Sequence, residues 1–411
     1  MRVRGAATVR SNAIIYQYGG GSLKVVAIDT FVCDVYRTNW VFVRVQTDAG
    51  LYGIGESTLE MREQTTIQAI DELGRILIGR DPHDIEAFRH DAYRDAYWRG
   101  GPVLMSALAG VEMALWDIKG KDLGVPVYQL LGGRIRDLIP CYANGWFAPA
   151  KTPEEFAEKA RNAVAAGFSG LKWDPFGKSY MTISRSQLND ALSCVQAVSD
   201  AVGDTAEILI EGHGRFDVPS AIRIGHALED FDIFWFEEPI PPDNLEALLE
   251  VKRRTRVPIA AGERLYTRRE YATFFEMHCA DFAQPDVSHA GGIQEMRQIA
   301  SMAETAYIPF CPHNPSGPVA NAATLQLAAC IPNFVFVETM TLDVPWRSDI
   351  TNETLQFRDG GFIIPDLPGL GIDINVEAIL DHPYTPHDLR HYSGKLTDIR
   401  PPESRPYFAI E

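Results

Sequence analysis

From residue 141 onward, short apolar runs alternate with amphipathic stretches at a regular beat, and no other feature of this 411-residue chain constrains its fold as strongly. The runs are CYAN (from 141), GLKWD (170), AEILIEGH (206), IFWFEEP (233), PIAAGER (258), DFAQPD (281), IPFCPH (308) and FVFVET (334). Between them lie segments with apolar residues at three and four spacing, such as EEFAEKARNAVAAG and GIQEMRQIASMAETA. Eight strands with helices between them predict a (β/α)8 barrel over residues 141–340. An open doubly wound sheet fits less well, because no GxGxxG or GxxxxGK[ST] follows an early strand.

The flanks read differently. Residues 23–57 alternate apolar and polar around a turn at Thr47-Asp48-Ala49-Gly50, the pattern of an antiparallel meander. Residues 65–133 then turn helical, and MSALAGVEMALWDIKGKDLG stops at Gly124 with Pro126 behind it. Residues 23–140 are therefore expected to form an α+β domain, and the short strands and turns of 341–411 to return to it. Residues 1–22, with Arg2, Arg4 and Arg10 ahead of the first acid, Asp29, read as a tail. They lack the apolar stretch of a secretory signal.

Lys plus Arg number 38 and Asp plus Glu 55, a net charge of −17. Such a surface repels phosphate backbones and anionic lipids, so nucleic acid and membrane are not the expected partners. No apolar run reaches the length of a membrane-spanning helix. Six cysteines without a CxxC pair read as reduced thiols of a cytoplasmic protein.

In a barrel of this kind the active site gathers at the C-terminal ends of the strands. Glu211, Glu237 and Glu263 end three successive runs, each 26 residues after the last. Adjacent strands lie about 4.8 Å apart, so the three carboxylates should converge. Three anions that close together need a cation or protons. An all-oxygen set favours Mg²⁺ over Ca²⁺, with Mn²⁺ as an alternative. The competing reading is a set of rim salt bridges. His313 and Asp286 end neighbouring runs, and an imidazole oriented by a carboxylate can act as a general base. A buried structural histidine is the competing reading.

His213 stands two residues after Glu211, so strand parity points it to the same side. Glu338 ends the last run. Held protonated, it could donate a hydrogen bond to a developing oxyanion; as an ordinary acid it would serve a helix cap or ion pair. Lys172 and Asp174 share a face of their strand, and Arg215 follows His213 by two. For Lys172 a substrate contact and an ion pair with Asp174 or Glu211 are equally open, and so, for Arg215, are a hold on substrate oxygens and plain surface packing.

The segments RGGPVLMSALAGVEMALWDIKGKDLGVPVYQLLGG, FWFEEP, AAGERLYTRRE, QPDVSHAGGI, CPHNPSGPVA and PGLGIDI together resemble the mandelate racemase branch of the enolase superfamily, nearest its D-galactonate dehydratase type. The resemblance runs from about residue 23 to about residue 391. It implies a (β/α)7β modified barrel under a capping domain built from both chain ends. It implies one Mg²⁺ on Glu211, Glu237 and Glu263, His313 with Asp286 as base, His213 as acid and Glu338 as stabiliser of an enolate. Capping loops near Arg37–Trp40 and Ser57–Glu63 would select the substrate, which makes Trp40 a candidate contact. A homo-oligomer is also implied.

Two positions depart from the family's pattern. Glu211 stands where the first ligand is usually Asp. Lys172-Trp173-Asp174 replaces the Lys-x-Lys of the racemases, which argues against two-base racemisation. The activity implied is Mg²⁺-dependent dehydration of an acid sugar such as an aldonate to a 2-keto-3-deoxy acid, by C2 proton abstraction through a metal-stabilised enediolate. Epimerisation or lactone cycloisomerisation would share that enediolate, and a catalytically silent barrel is a third reading.

Overall fold

A computed structural model describes residues 23–388 and 403–410; the tail expected at 1–22 lies outside the described residues. The first segment carries β1 (Val25–Asp34), β2 (Asn39–Thr47), β3 (Tyr52–Glu56), α1 (Glu63–Leu77), α2 (Ile85–Arg89), α3 (Pro102–Leu123) and α4 (Val127–Leu130). The three strands form an antiparallel sheet in the order β1-β2-β3. β2 is buried on both faces. Val41, Val43 and Val45 join the cluster under α1 and α3, whereas Trp40 and Phe42 join the main core. β3 is rich in glycine because α3 lies directly on it. A Cβ at Gly55 would sit 1.8 Å from the Gly110 carbonyl oxygen. α3 ends at Gly124 in the left-handed conformation (φ 68°).

Next come β4 (Leu138–Asn144), α5 (Pro153–Ala165), β5 (Gly170–Trp173), α6 (Arg185–Val202), β6 (Glu207–Glu211), α7 (Val218–Leu228), β7 (Trp235–Glu237), α8 (Leu245–Arg254), β8 (Ile259–Ala261), α9 (Arg268–Met277), β9 (Phe282–Ala283), α10 (Ile293–Thr305), α11 (Pro318–Ala328) and β10 (Val337–Met340). β4 to β9 pair in parallel in chain order. β10 pairs in parallel with β4. The run IPFCPH forms no strand and contributes single bridges, Ala283 to Phe310 and Phe310 to Phe334. Pro309 and Pro312 flank Phe310, and proline has no N–H for a ladder. This is the TIM-barrel-plus-cap architecture, with the cap resting on the strand ends.

After β10 the chain adds β11 (Gln356–Arg358), β12 (Gly361–Ile363), α12 (Val376–Leu380) and β13 (Ala409–Ile410). β12 pairs antiparallel with β4, and β11 with β12 and β13, so part of this segment extends the large sheet. The rest reaches β1 and β2. Asn39 and Thr385 exchange hydrogen bonds of 2.9 and 3.0 Å, and His387 meets Asp34 at 2.7 Å.

Buried acids fasten the cap to the barrel. Glu56, at the end of β3, accepts from Gly317 N (2.7 Å), Ala320 N (2.9 Å) and Thr58 Oγ1 (2.7 Å), which caps α11. Glu112 of α3 accepts from Ile293 N (2.8 Å) and Gln294 N (2.9 Å), which caps α10. Helix N-terminal amides favour such anions. Replacing Glu56 with Ala leaves two buried amides unpaired. The expected loss in unfolding free energy is about 3 kcal/mol in urea titration; an unchanged midpoint would contradict this role.

Candidate active site

Glu211 and Glu237 are direct neighbours in the ladder between β6 and β7, and Glu263 follows β8 across one more strand. Carboxylate oxygens of the three lie within 4.8 Å of one another. Glu237 is fully buried, and Trp235 Nε1 donates to its Oε2 at 2.9 Å. The backbone N–H of His213 donates to Glu211 Oε1 at 2.6 Å. The extra methylene of glutamate at 211 thus still leaves its carboxylate in the cluster. Glu238, the second acid of the pair, has a positive φ of 37° and turns instead to Arg264.

Lys172 of β5 answers this charge. Its Nζ lies 2.6 Å from Glu237 Oε1, 3.0 Å from Glu338 Oε1 and 3.3 Å from Glu211 Oε2. Burial disfavours the ammonium, but Glu237 and Glu338 outweigh it and hold the Lys172 pKa well above the ordinary lysine value. One ammonium does not neutralise the cluster. Burial pushes the Glu211 carboxyl up to about 7, against the pull of Lys172. Burial and the Glu211 charge push Glu237 well above the usual range. A buried oxygen-only cluster with surplus negative charge suits a hard divalent cation, so Glu211, Glu237 and Glu263 fit Mg²⁺.

Two histidines flank the trio, each tied to its own acid. His313 Nδ1 lies 2.8 Å from Asp286 Oδ2. Its Nε2 lies 3.3 Å from Glu263 Oε2 and 3.8 Å from Glu338 Oε2. Burial lowers the His313 pKa, but Glu263, Asp286 and Glu338 raise it well above the ordinary histidine value. His213 Nδ1 lies 2.8 Å from Asp174 Oδ2. Strand parity does not carry His213 into the cavity, since β6 ends at Glu211. A left-handed turn does, with φ 51° at His213 and 57° at Gly214. Gly214 also leaves room for the Arg264 guanidinium, which a Cβ there would meet at 1.7 Å.

The cavity has a volume of about 260 Å³, and Lys172, Glu211, His213, Glu263, His313 and Glu338 are on its wall. Three candidate contacts sit elsewhere. Asp174 is buried between His213 and Arg215, whose guanidinium lies 2.5 Å from Asp174 Oδ1, so this pair orients His213. Arg215 faces a larger, more apolar cleft of about 710 Å³ beside Phe216 and Ile240, where no metal-ligating cluster of acids or histidines converges among the described residues. Trp40 is 2% exposed and packs under Arg347, with the guanidinium carbon 4.9 Å from its ring. Its neighbour Arg37 lines the cavity instead.

Glu338 is surrounded by donors. Asn144 Nδ2 (2.6 Å), Lys172 Nζ (3.0 Å) and Asn314 N (3.3 Å) all reach its carboxylate. Burial would raise its pKa, but Lys172 and His313 prevail and hold it at about 2. Of the two readings its position left open, these contacts favour the ion-paired acid over the protonated donor.

Asn144, Arg264 and His289 also line the cavity. Asn144 ends β4, so the strand-end rule that selects the glutamates would have found it. His289 follows Asp286 by three residues on a turn. Arg264 adjoins Glu263 and becomes legible only once Glu238 is seen to bind it.

Comparison with known proteins adds independent findings. Residues 24–132 match the family described as mandelate racemase / muconate lactonizing enzyme, N-terminal domain, and residues 155–379 match enolase C-terminal domain-like. The chain is similar to D-galactonate dehydratase of Variovorax paradoxus, 37% identical over 86% of this chain and 93% of that one. It is also similar to D-gluconate dehydratase of Thermoproteus tenax, 34% identical over 85% of this chain and 71% of that one. A mandelate racemase/muconate lactonizing enzyme from Sulfitobacter sp. superposes with a TM-score of 0.85, at 33% identity over 90% of this chain and 97% of the other.

Calorimetric titration tests the cation reading. The wild type is expected to take up one Mg²⁺ per chain, and Glu237→Gln to bind it at least about 100-fold more weakly. Equal affinity in the two proteins would leave the trio as a salt-bridge cluster.

Proposed function

Because this chain belongs to the mandelate racemase and muconate lactonizing enzyme family of the enolase superfamily, we propose that it is a hydro-lyase that dehydrates an aldonate of the galactonate or gluconate kind to a 2-keto-3-deoxy acid. One observation carries this reading. Two histidines, each held by its own carboxylate, stand beside the glutamate trio, His213 on the turn that follows β6 and His313 on the run between β9 and β10. Elimination of water needs one group to take a proton and another to give one. The galactonate and gluconate dehydratases similar to this chain support the substrate class. The pairing of β10 with β4 and the Phe310 bridges support a closed (β/α)7β barrel. The contacts of the last segment with β1 and β2 support a cap built from both chain ends.

Asp286 accepts a hydrogen bond from His313 Nδ1, and a divalent cation on the trio would offset the carboxylates that otherwise favour the imidazolium, leaving the Nε2 lone pair toward the cavity. Nε2 takes the C2 proton, and the C–H electron pair passes into an enediolate. Mg²⁺ held by Glu211, Glu237 and Glu263 would supply electrophilic stabilisation of that charge and offset the field of the trio. Lys172, fixed between Glu237 and Glu338, places a positive charge on the same wall. Glu338 serves by holding Lys172 and Asn144 in position. His213, as imidazolium braced by Asp174, gives its Nε2 proton to the departing 3-hydroxyl. The C3–O bond breaks with loss of water, and the enol becomes the 2-keto acid. Asp174 is occupied by His213 and Arg215. No second strand-end lysine stands there to run a racemisation.

Incubation with D-galactonate and with D-gluconate, followed by semicarbazide detection, should show a 2-keto acid with at least one of them. His313→Asn is expected to lose at least about 1,000-fold in turnover and to show no exchange of the C2 proton in D₂O. His213→Asn should lose dehydration while retaining that exchange. Retained exchange in His313→Asn would remove it from the role of base.

A further inference from the structure

A second group of potential metal ligands lies beside the glutamate trio. Asp286, His289 and His313 each offer one ligand atom, and these atoms lie within 4.8 Å of one another. A tight turn after β9 brings the first two together, with the N–H of His289 donating to the Asp286 carbonyl at 3.1 Å. His289 is 8% exposed, and that exposure is to the cavity. Its Nε2 lies 3.2 Å from the Thr58 carbonyl oxygen, which can only accept. The imidazole proton therefore sits on Nε2 and the lone pair on Nδ1. Among the described residues Nδ1 has no hydrogen-bond partner. An imidazole that donates one N–H to a backbone carbonyl and leaves the other nitrogen free has the arrangement of a metal-ligating histidine. Its ring centroid lies 6.4 Å from that of His313.

We propose that Asp286, His289 and His313 form a second cation site, distinct from the glutamate trio, that selects a borderline transition metal such as Zn²⁺. The donor sets separate the two sites. Three carboxylates suit a hard ion, whereas two imidazoles and one carboxylate match Zn²⁺, with a fourth position open to the cavity. Ligands on one Zn²⁺ stand about 3.4 Å apart at a bond length of about 2.1 Å.

Occupancy would have a consequence that rests on the function proposed above. Zn²⁺ on His313 Nδ1 would displace the proton that Nδ1 shares with Asp286 and leave the remaining imidazole proton on Nε2, so it would stop C2 proton removal even with the trio saturated by Mg²⁺. The site itself does not depend on that reading. Thr58 belongs to the 57–63 loop of the cap, so the orientation of His289 also depends on that loop staying seated.

Equilibrium dialysis of the full chain against Zn²⁺ in saturating Mg²⁺ tests the site. The wild type should retain one Zn²⁺ per chain, and X-ray absorption on that sample should show two nitrogen neighbours at about 2.0–2.1 Å. Glu237→Gln should retain the same Zn²⁺, and His289→Gln should bind it at least about 10-fold more weakly. Full displacement of Zn²⁺ by Mg²⁺, an oxygen-only absorption spectrum, or unchanged affinity in His289→Gln would overturn the proposal. The wild-type spectrum decides the matter should the variant fail to fold. Zn²⁺ bound with nitrogen ligation but without effect on C2 exchange would confirm the site and count against His313 as the base.

Discussion

Mutual repulsion among buried carboxylates is the constraint on which the rest of the site depends. β6, β7 and β8 present Glu211, Glu237 and Glu263 to one point, and β10 adds Glu338 beside it. Placing so many anions where water is largely excluded is costly unless positive charge joins them. Lys172 supplies one charge through three carboxylate contacts, and His313 supplies part of another. Burial first, and repulsion among the acids after it, hold the Glu211 and Glu237 carboxyls above the usual carboxylate range. A divalent cation on the trio would relieve that repulsion, and in the reaction proposed above the same charge would favour an enediolate.

The cap extends the same economy of buried charge. Glu56 and Glu112 sit under helix N-termini and seat the cap on α10 and α11. That seating brings the 57–63 loop over the cavity, where Thr58 meets His289. Glu56 thus directly precedes in sequence the 57–63 loop that lines the cavity.

Much of this was legible from residues alone, for a physical reason. Parallel strands in register put equivalent positions side by side, so polar residues at the ends of apolar runs identify the wall of the site. That rule finds the glutamates, Asp286, His313 and Glu338, and it also covers Asn144. It fails where the chain leaves the strand. His213 reaches the cavity through a left-handed turn and not by parity. Arg215 turns back to Asp174 because the loop after β6 folds over β5, a path no periodicity encodes. Trp40 is claimed by Arg347 and the core. The ionised state of Glu338 depends on Lys172 and Asn144, which come from two other strands. Flanking prolines are visible in IPFCPH, and they explain why that run supplies bridges and not a ladder.

Anomalous diffraction from crystals of the wild type soaked in Mn²⁺ tests the shared-cation claim most directly. The expected result is a single strong peak within about 2.5 Å of an oxygen from each of Glu211, Glu237 and Glu263. A peak touching fewer than all three, or none beside them with Lys172 still seated among the carboxylates, would contradict it.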